Sequence, residues 1–358
     1  MAYTTIDDPS SVFQCTLYSG TGSQQSITNG GNSDLQPDFL WIKERDGTSS
    51  HQLVDSVRGY YLRMESDNSS ADLDAGQTGA TNQNVTSFDS DGFGVKNGAA
   101  VNESGKTYVA WQWKAGTTAS GTTGGSGTGK SYSYSANTTS GFSVVTYTGN
   151  ATAGHLIPHG MGKVPRLIHV KSRGDDNGWT SGTIVSASAW NDHGYLYLAN
   201  AFGTDANQFG ATPDSTNFRL GTGTGTNGNN GTRVAYCFAD VQGYQKIGKY
   251  VGNGNANGTF VYCGFKPAYV IAKNLDAAKS WFIYDNKRDP FNPTVEKLRA
   301  DTSAAEATGT DKLIDMYSNG FKIRTDDAEF NTSGANYLFH AIAENPFVTS
   351  TGVPTTAR

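Results

Sequence analysis

The sequence predicts an all-β chain built as three tandem β-sandwich units of jelly-roll type, with little helix. Composition is the first reason: 44 of 358 residues are Gly and only 16% are charged. Such a mixture serves many short strands and turns rather than amphipathic helices. Length is the second, since single cores stop growing at roughly 250–300 residues and longer chains divide into domains. Internal repetition is the third and strongest. A strand ending in Tyr-x-Gly occurs as Tyr18-Ser-Gly20, Tyr147-Thr-Gly149 and Tyr250-Val-Gly252. Each Tyr is followed, at nearly constant spacing, by a Pro-x5-Lys segment, giving Pro37/Lys43, Pro165/Lys171 and Pro267/Lys273. A closing strand then begins at nearly the same distance beyond each Pro, at Val109, Val234 and Leu338.

The anchors set the units at 1–114, 131–241 and 242–345. Each Pro-x5-Lys segment is apolar on both faces, as a strand covered on both sides must be. Pro opens it, where a missing N–H costs no ladder bond. In the first unit Phe88-Asp-Ser-Asp91-Gly92-Phe93 predicts a hairpin, and Tyr317-Ser-Asn319-Gly320-Phe321 predicts its counterpart in the third. Asp-Gly and Asn-Gly suit the positive φ angles of a type I′ turn. The second unit has Asn217-Phe218 there, so its turn should differ. Residues 115–130, almost all Gly, Ser and Thr, read as a flexible linker that lets the first unit move. Val241 to Lys249 runs directly between strands and couples the last two units. Thr294 to Thr308 is the one stretch that suits a helical turn or two. The tail, 346–358, reads as extended.

Several function classes drop out. No apolar run is long enough to span a membrane. The start, MAYTTIDDPSS, has neither basic region nor apolar run, so no secretory signal is expected. Net charge is -5, which offers no global field for nucleic acid or anionic membrane. Cys15, Cys237 and Cys263 are odd in number and lack CxxC spacing, so they read as buried thiols rather than a zinc site.

Candidate chemistry is sparse. Gly124 to Ser131 matches the phosphate-loop pattern GxxxxGK[ST], but that loop needs a strand before it and a helix after it. Ser-Tyr-Ser-Tyr-Ser follows Lys130 and alternates like a strand, so nucleotide binding is not expected. His155 and His159 have metal-like spacing but sit in a Gly/Pro loop. His169 stands where the other units have Trp41 and Ile271, and His340 replaces Trp111 and Tyr236, so both read as core histidines. Asp89-Ser-Asp91-Gly92 resembles the start of a calcium loop but lacks the remaining ligands. Asp55/Arg58 and Asp285/Arg288 form matched Asp-x-x-Arg pairs after the anchor strand, read as loop-tying ion pairs that the second unit lacks. Lys43, Lys171 and Lys273 are expected to reach solvent or carboxylates. No nucleophile–base arrangement stands out, so no catalytic residue, metal or cofactor is expected and the chain reads as a non-enzyme.

A wider set of residues carries a resemblance: Ile6-Asp-Asp-Pro-Ser10, Trp41-Ile-Lys43, Asp55-Ser-Val-Arg58-Gly59, Ser87 to Phe93, and Asn102-Glu-Ser-Gly-Lys-Thr-Tyr-Val-Ala-Trp111. These resemble an uncharacterised repeat-domain family of structural, often tail-fibre-like, proteins of marine tailed bacteriophages. His159-Gly-Met-Gly-Lys-Val-Pro165 is similar to an entry loop of related phage β-domains. The resemblance implies a virion protein, expected as a tail-associated fibre or adhesin contacting the host surface. A capsid decoration or head-fibre protein is the alternative, favoured by a first unit that starts close to Met1. A surface-polysaccharide depolymerase is a third reading, without the parallel β-helix repeat it would need. Implied partners are other virion proteins of tail or capsid and a host glycan or protein, with oligomerisation in the virion. For adhesion the expected ligand-binding residues are Trp179, Trp190, His193 and Tyr195 of the second unit. The competing reading is that one or both tryptophans fill the sandwich core; of the two, Trp190 is the one expected to be exposed, at the Asn191-Asp192-His193-Gly194 turn.

Overall fold

The computed structural model describes residues 2–74, 84–185, 190 and 192–355. In the first unit the opening strand Phe13–Ser19 pairs antiparallel with the closing strand Thr107–Trp113. That strand pairs with the anchor strand Phe39–Glu44, and the anchor strand with a flanking strand, Gln52–Asp55. The same order runs through Phe142–Thr148, Thr232–Phe238, Leu167–Ser172 and Thr180–Thr183. It recurs in Gln245–Val251, Asn336–Pro346, Phe265–Asn274 and Trp281–Asp285. A smaller sheet covers each of these: Gln25–Thr28, Gly92–Val95 and Val85–Asp89; His155–Pro158, Asn217–Leu220 and Phe209–Ala211; Phe260–Tyr262, Gly320–Ile323 and Ile314–Tyr317. Leu40, Ile42 and Val54 of the large sheet meet Ile27, Phe93 and Val95 of the small one, which makes each unit a β-sandwich.

Side chains alternate along a strand, so each large sheet has a second face. Those faces converge on one common core. Phe39 stacks on Tyr236 with ring centroids 4.1 Å apart, Phe238 meets His340 at 4.7 Å, and Trp111 meets Tyr269 at 5.9 Å. The contacts thus join first unit to second, second to third and third to first. This explains why every residue of the anchor strands Phe39–Glu44 and Leu167–Ser172 is buried. One face lies inside its sandwich and the other against the neighbouring units.

Three equivalent bonds close the ring. Asp55, Thr183 and Asp285 occupy one register position, opposite Phe39, Leu167 and Tyr269. One strand-length earlier stand His51, Trp179 and Trp281, and each reaches a main-chain carbonyl of the neighbouring unit. Trp179 Nε1 donates to Glu65 O at 2.7 Å, Trp281 Nε1 donates to Tyr195 O at 2.9 Å, and His51 Nε2 lies 2.9 Å from Arg299 O. Backbone bonds repeat the pattern: Asp72 N to Arg173 O at 2.8 Å, Phe202 N to Leu275 O at 2.9 Å, and Glu306 N to Arg45 O at 2.7 Å.

Several local expectations are corrected. The 115–130 segment is not a free linker: Thr117–Thr122 pairs antiparallel with Ser131–Asn137, and Gly124–Gly125 pairs with His155 and Leu156. Gly, Ser and Thr suit an exposed edge strand once a neighbour supplies the ladder, and composition does not reveal the neighbour. The junction is also tied down, because Ala115 N donates to Asp38 Oδ2 at 2.8 Å. Residues 294–308 form strands, Glu296–Arg299 and Ala307–Thr308, because the flanking strand Trp281–Asp285 offers an open edge. Helical turns occur instead at Ala99–Asn102 and Thr224–Asn227.

The hairpin turns have Ser90-Asp91 and Ser318-Asn319 as central residues, since Asp89 pairs with Gly92 and Tyr317 with Gly320. Among the described residues only Ala151 and Asn230 are non-Gly with positive φ, so these turns are not type I′. Gly is required for another reason: a Cβ would lie 1.9 Å from Ile27 O at Gly92 and 2.0 Å from Val261 O at Gly320. The second unit has a different turn, residues 212–216. The described part of the tail, 346–355, folds back rather than extending, with Thr349 N bonded to Val353 O at 2.9 Å; residues 356–358 lie outside the described residues.

Candidate functional site

Much of the repeated sequence turns out to hold the units rather than to act on a ligand. The Tyr-x-Gly turn is clamped by an Asn far along the chain. Tyr18, Tyr147 and Tyr250 hydroxyls donate to Val101, Thr226 and Phe330 carbonyls at 2.7, 2.7 and 3.0 Å. The next residues are Asn102, Asn227 and Asn331. Their Oδ1 atoms accept the N–H that follows each Gly, from Thr21, Asn150 and Asn253 at 2.9, 2.9 and 2.8 Å.

The Asp-x-x-Arg pairs are larger networks than sequence spacing suggests. Arg58 Nε meets Asp55 Oδ2 at 2.6 Å, its Nη1 meets Asp72 at 2.9 Å, and Asp72 also takes Arg173 at 2.7 Å. The third unit repeats this with Asp285, Arg288, Glu306 and Arg45. Each network also grips its neighbour: Tyr236 hydroxyl donates to Asp55 Oδ2 at 2.9 Å and Trp111 Nε1 to Asp285 Oδ2 at 3.1 Å. Burial pushes the Asp285 carboxyl up, but Arg288 and the hydrogen bonds outweigh it and hold it below the ordinary carboxylate value. In the second unit the matching described positions are Thr183, Phe202 and Leu275, which carry no charge.

The three anchor lysines are buried, contrary to expectation. Their ammonium groups bond carbonyl oxygens: Glu44 and Gly47 for Lys43, Ser69 and Asn177 for Lys171, Ala199 and Lys279 for Lys273. Burial lowers each to about 8, against the partial support of nearby carboxylates. A long aliphatic stem makes such burial feasible, and sequence cannot tell it from a snorkelling lysine.

The residues expected to bind a ligand do not form a site. Trp190 is fully buried between the sheets of the second unit, its ring 6.2 Å from Phe209. Trp179 is buried in the common core against Tyr236. His193 is buried with Nε2 3.1 Å from the Tyr195 hydroxyl, and Tyr195 is half-buried. Gly/Ser/Asn-rich surroundings suggested exposure, yet the ring area is what the two cores need. His155 and His159 are also buried. His155 is bonded to Asn227 and Thr123 at 2.9 and 2.6 Å, and His159 Nε2 lies 3.1 Å from Asp214 O. Lys130 lies between strands, its Nζ bonded to Asn230 Oδ1 at 2.7 Å.

The open aromatic surface is on the third unit instead. Phe260 is 43% exposed, Tyr262 59%, Phe291 78% and Tyr317 37%. Tyr317 and Phe291 border a groove of about 560 Å³ that also takes in Asn286, Asp289 and Asn345. A groove of this size with a few polar groups is typical of ligand sites. Sequence reasoning missed it, although Thr-Phe-Val-Tyr262 carries the signal: rings at alternate positions around an inward Val.

Searches of curated proteins and of solved structures matched nothing. A family model does match, over residues 8–346, which takes in all three sandwiches and most of the groove lining. The chain therefore belongs to the family described as Domain of unknown function (DUF7483).

Proposed function

We propose that the chain is a bacteriophage virion structural protein, a tail-associated fibre or adhesin that meets the host surface through the third unit. The observation that carries the reading is a closed three-unit body with an aromatic-lined groove left open at its surface. Such a body suits load-bearing attachment: its cohesion lies in a shared core, and the loops at the sandwich ends are free to vary. The phage assignment itself rests on the motif resemblance, from Ile6-Asp-Asp-Pro-Ser10 to the Asn102–Trp111 segment. Gold-labelled antibody against the purified chain, imaged on intact virions, tests it. Label on the tail or baseplate is expected. Label spread over the capsid would replace the adhesin reading with decoration, and unlabelled virions would contradict both.

A further inference from the structure

The small sheets of the three units can be compared position by position. Val261 pairs with Phe321 as Ile27 pairs with Phe93 and Ile157 with Phe218, and all of these turn inward and are buried. Their outward neighbours are Ser26 and Thr28 in the first unit, Leu156 and Pro158 in the second, and Phe260 and Tyr262 in the third. The fold therefore does not require rings there. Of the six largely exposed aromatic residues among those described, four lie on this surface. Clustering of that kind marks a binding surface, whereas scattered exposed rings do not.

The geometry is that of a stacking platform. Alternate residues on a strand stand about 6.5–7 Å apart and face the same side of the sheet. Tyr317 extends the platform toward the groove, 6.1 Å from Phe260 and tilted by 61°. The C–H faces of pyranoses meet the negative faces of such rings. Polar groups for sugar hydroxyls lie alongside. Asn286 Oδ1 is buried at the groove wall with no partner among the described residues. A buried acceptor in that state is satisfied by an incoming donor. Asp289 holds Val295 N through Oδ2 at 2.7 Å and disfavours an anionic ligand. At the rim Lys266 is neutralised by Glu344 at 2.5 Å.

We infer that this surface is a glycan-binding site for neutral pyranose oligomers, with Phe260, Tyr262 and Tyr317 as stacking rings, Phe291 as the ring at the groove's border and Asn286 as a hydroxyl acceptor. The inference deepens the adhesin reading and rests on it for the choice of face. Calorimetric titration of the full chain with maltohexaose, cellohexaose and the N-acetylglucosamine hexamer tests it, with an alginate hexamer as the anionic control. At least one neutral hexamer should bind and alginate should not. The double variant F260S/Y262T, which copies the first unit, should weaken binding about tenfold or more with an unchanged melting temperature. Phe291→Ala, at a ring outside the strands, should weaken it without touching the sheet, which keeps the test valid if the double variant is unstable. Binding of no neutral hexamer, or undiminished binding in the variants, overturns the inference. So does a wild-type dimer that F260S/Y262T converts to monomer, since a second copy would then occupy the face. Failure here leaves the virion labelling untouched, and capsid label with hexamer binding intact would fail the adhesin reading alone.

Discussion

At the residue scale the strongest interactions are buried and ionic, and their value depends on completeness. Asp55 and Arg58 side chains are both 0% exposed, so removing one partner strands a charge. Arg58→Met should cost about 3–5 kcal/mol in denaturant unfolding. The second unit suggests the remedy. Replacing the network by uncharged residues (Asp55→Thr, Asp72→Phe and Arg173→Leu as in the second unit, together with Arg58→Ser) should recover most of that loss, because no lone charge remains. A quadruple variant no more stable than Arg58→Met would refute the equivalence of these positions. The Asp-x-x-Arg pairs were legible in the sequence. Asp72 and Glu306 were not, because each stands well beyond its Asp, Asp55 or Asp285, across loops of different length. Trp190 fills the core, the alternative weighed against its exposure, because burial follows the ring's area, not the polarity of its neighbours.

At the element scale the Tyr-x-Gly turn and its Asn clamp are the recurring device. A Cβ at Gly149 would lie 2.4 Å from Gly228 O, so Gly149→Ala should destabilise by about 2 kcal/mol or more through forced backbone movement. Asn227→Ala removes the acceptor for Asn150 N and the donor to Gly221 O at 2.6 Å. It should cost about 2–4 kcal/mol, since both groups are left buried and unpaired. Thermal melts of the two variants check both values; wild-type melting in either would contradict the clamp. Half of this device was legible, because Tyr-x-Gly is local. Its Asn lies most of a unit away along the chain in all three copies, where only the strand pairing brings it back. Where the first and third units stack Tyr108 and Tyr337 beside the clamp, the second has Arg233, whose Nε donates to Gly225 O at 3.0 Å. That substitution of a cation for a phenol hid the equivalence.

At the scale of the whole molecule, burial leaves a pH signature. All six histidines are shifted down, and desolvation holds His51, His169 and His340 at about 3, with Lys43 adding to the effect at His51 and His169 at His340. Below pH 6.5 the unfolded chain therefore binds protons that the folded chain refuses, so stability falls as pH drops from 6.5 toward 3. Three such groups contribute about 4 kcal/mol per pH unit once well below 6.5. The melting temperature should drop steeply between about pH 6 and 4.5, and His340→Gln should lessen the fall in stability by about 1.4 kcal/mol per pH unit at most; a flat profile would contradict the burial. The all-β character was legible in the sequence, but the alternation that turns the large sheets inward reads the same for separate sandwiches as for a closed ring. Native-state hydrogen exchange decides between these. The amides of Asp72, Phe202 and Glu306 each bond across a different unit boundary. If the ring is one cooperative body, all three exchange only by global unfolding, with the protection of the anchor strands. Protection at Asp72 and Glu306 far below that of the anchor strands would mean that the first unit swings free.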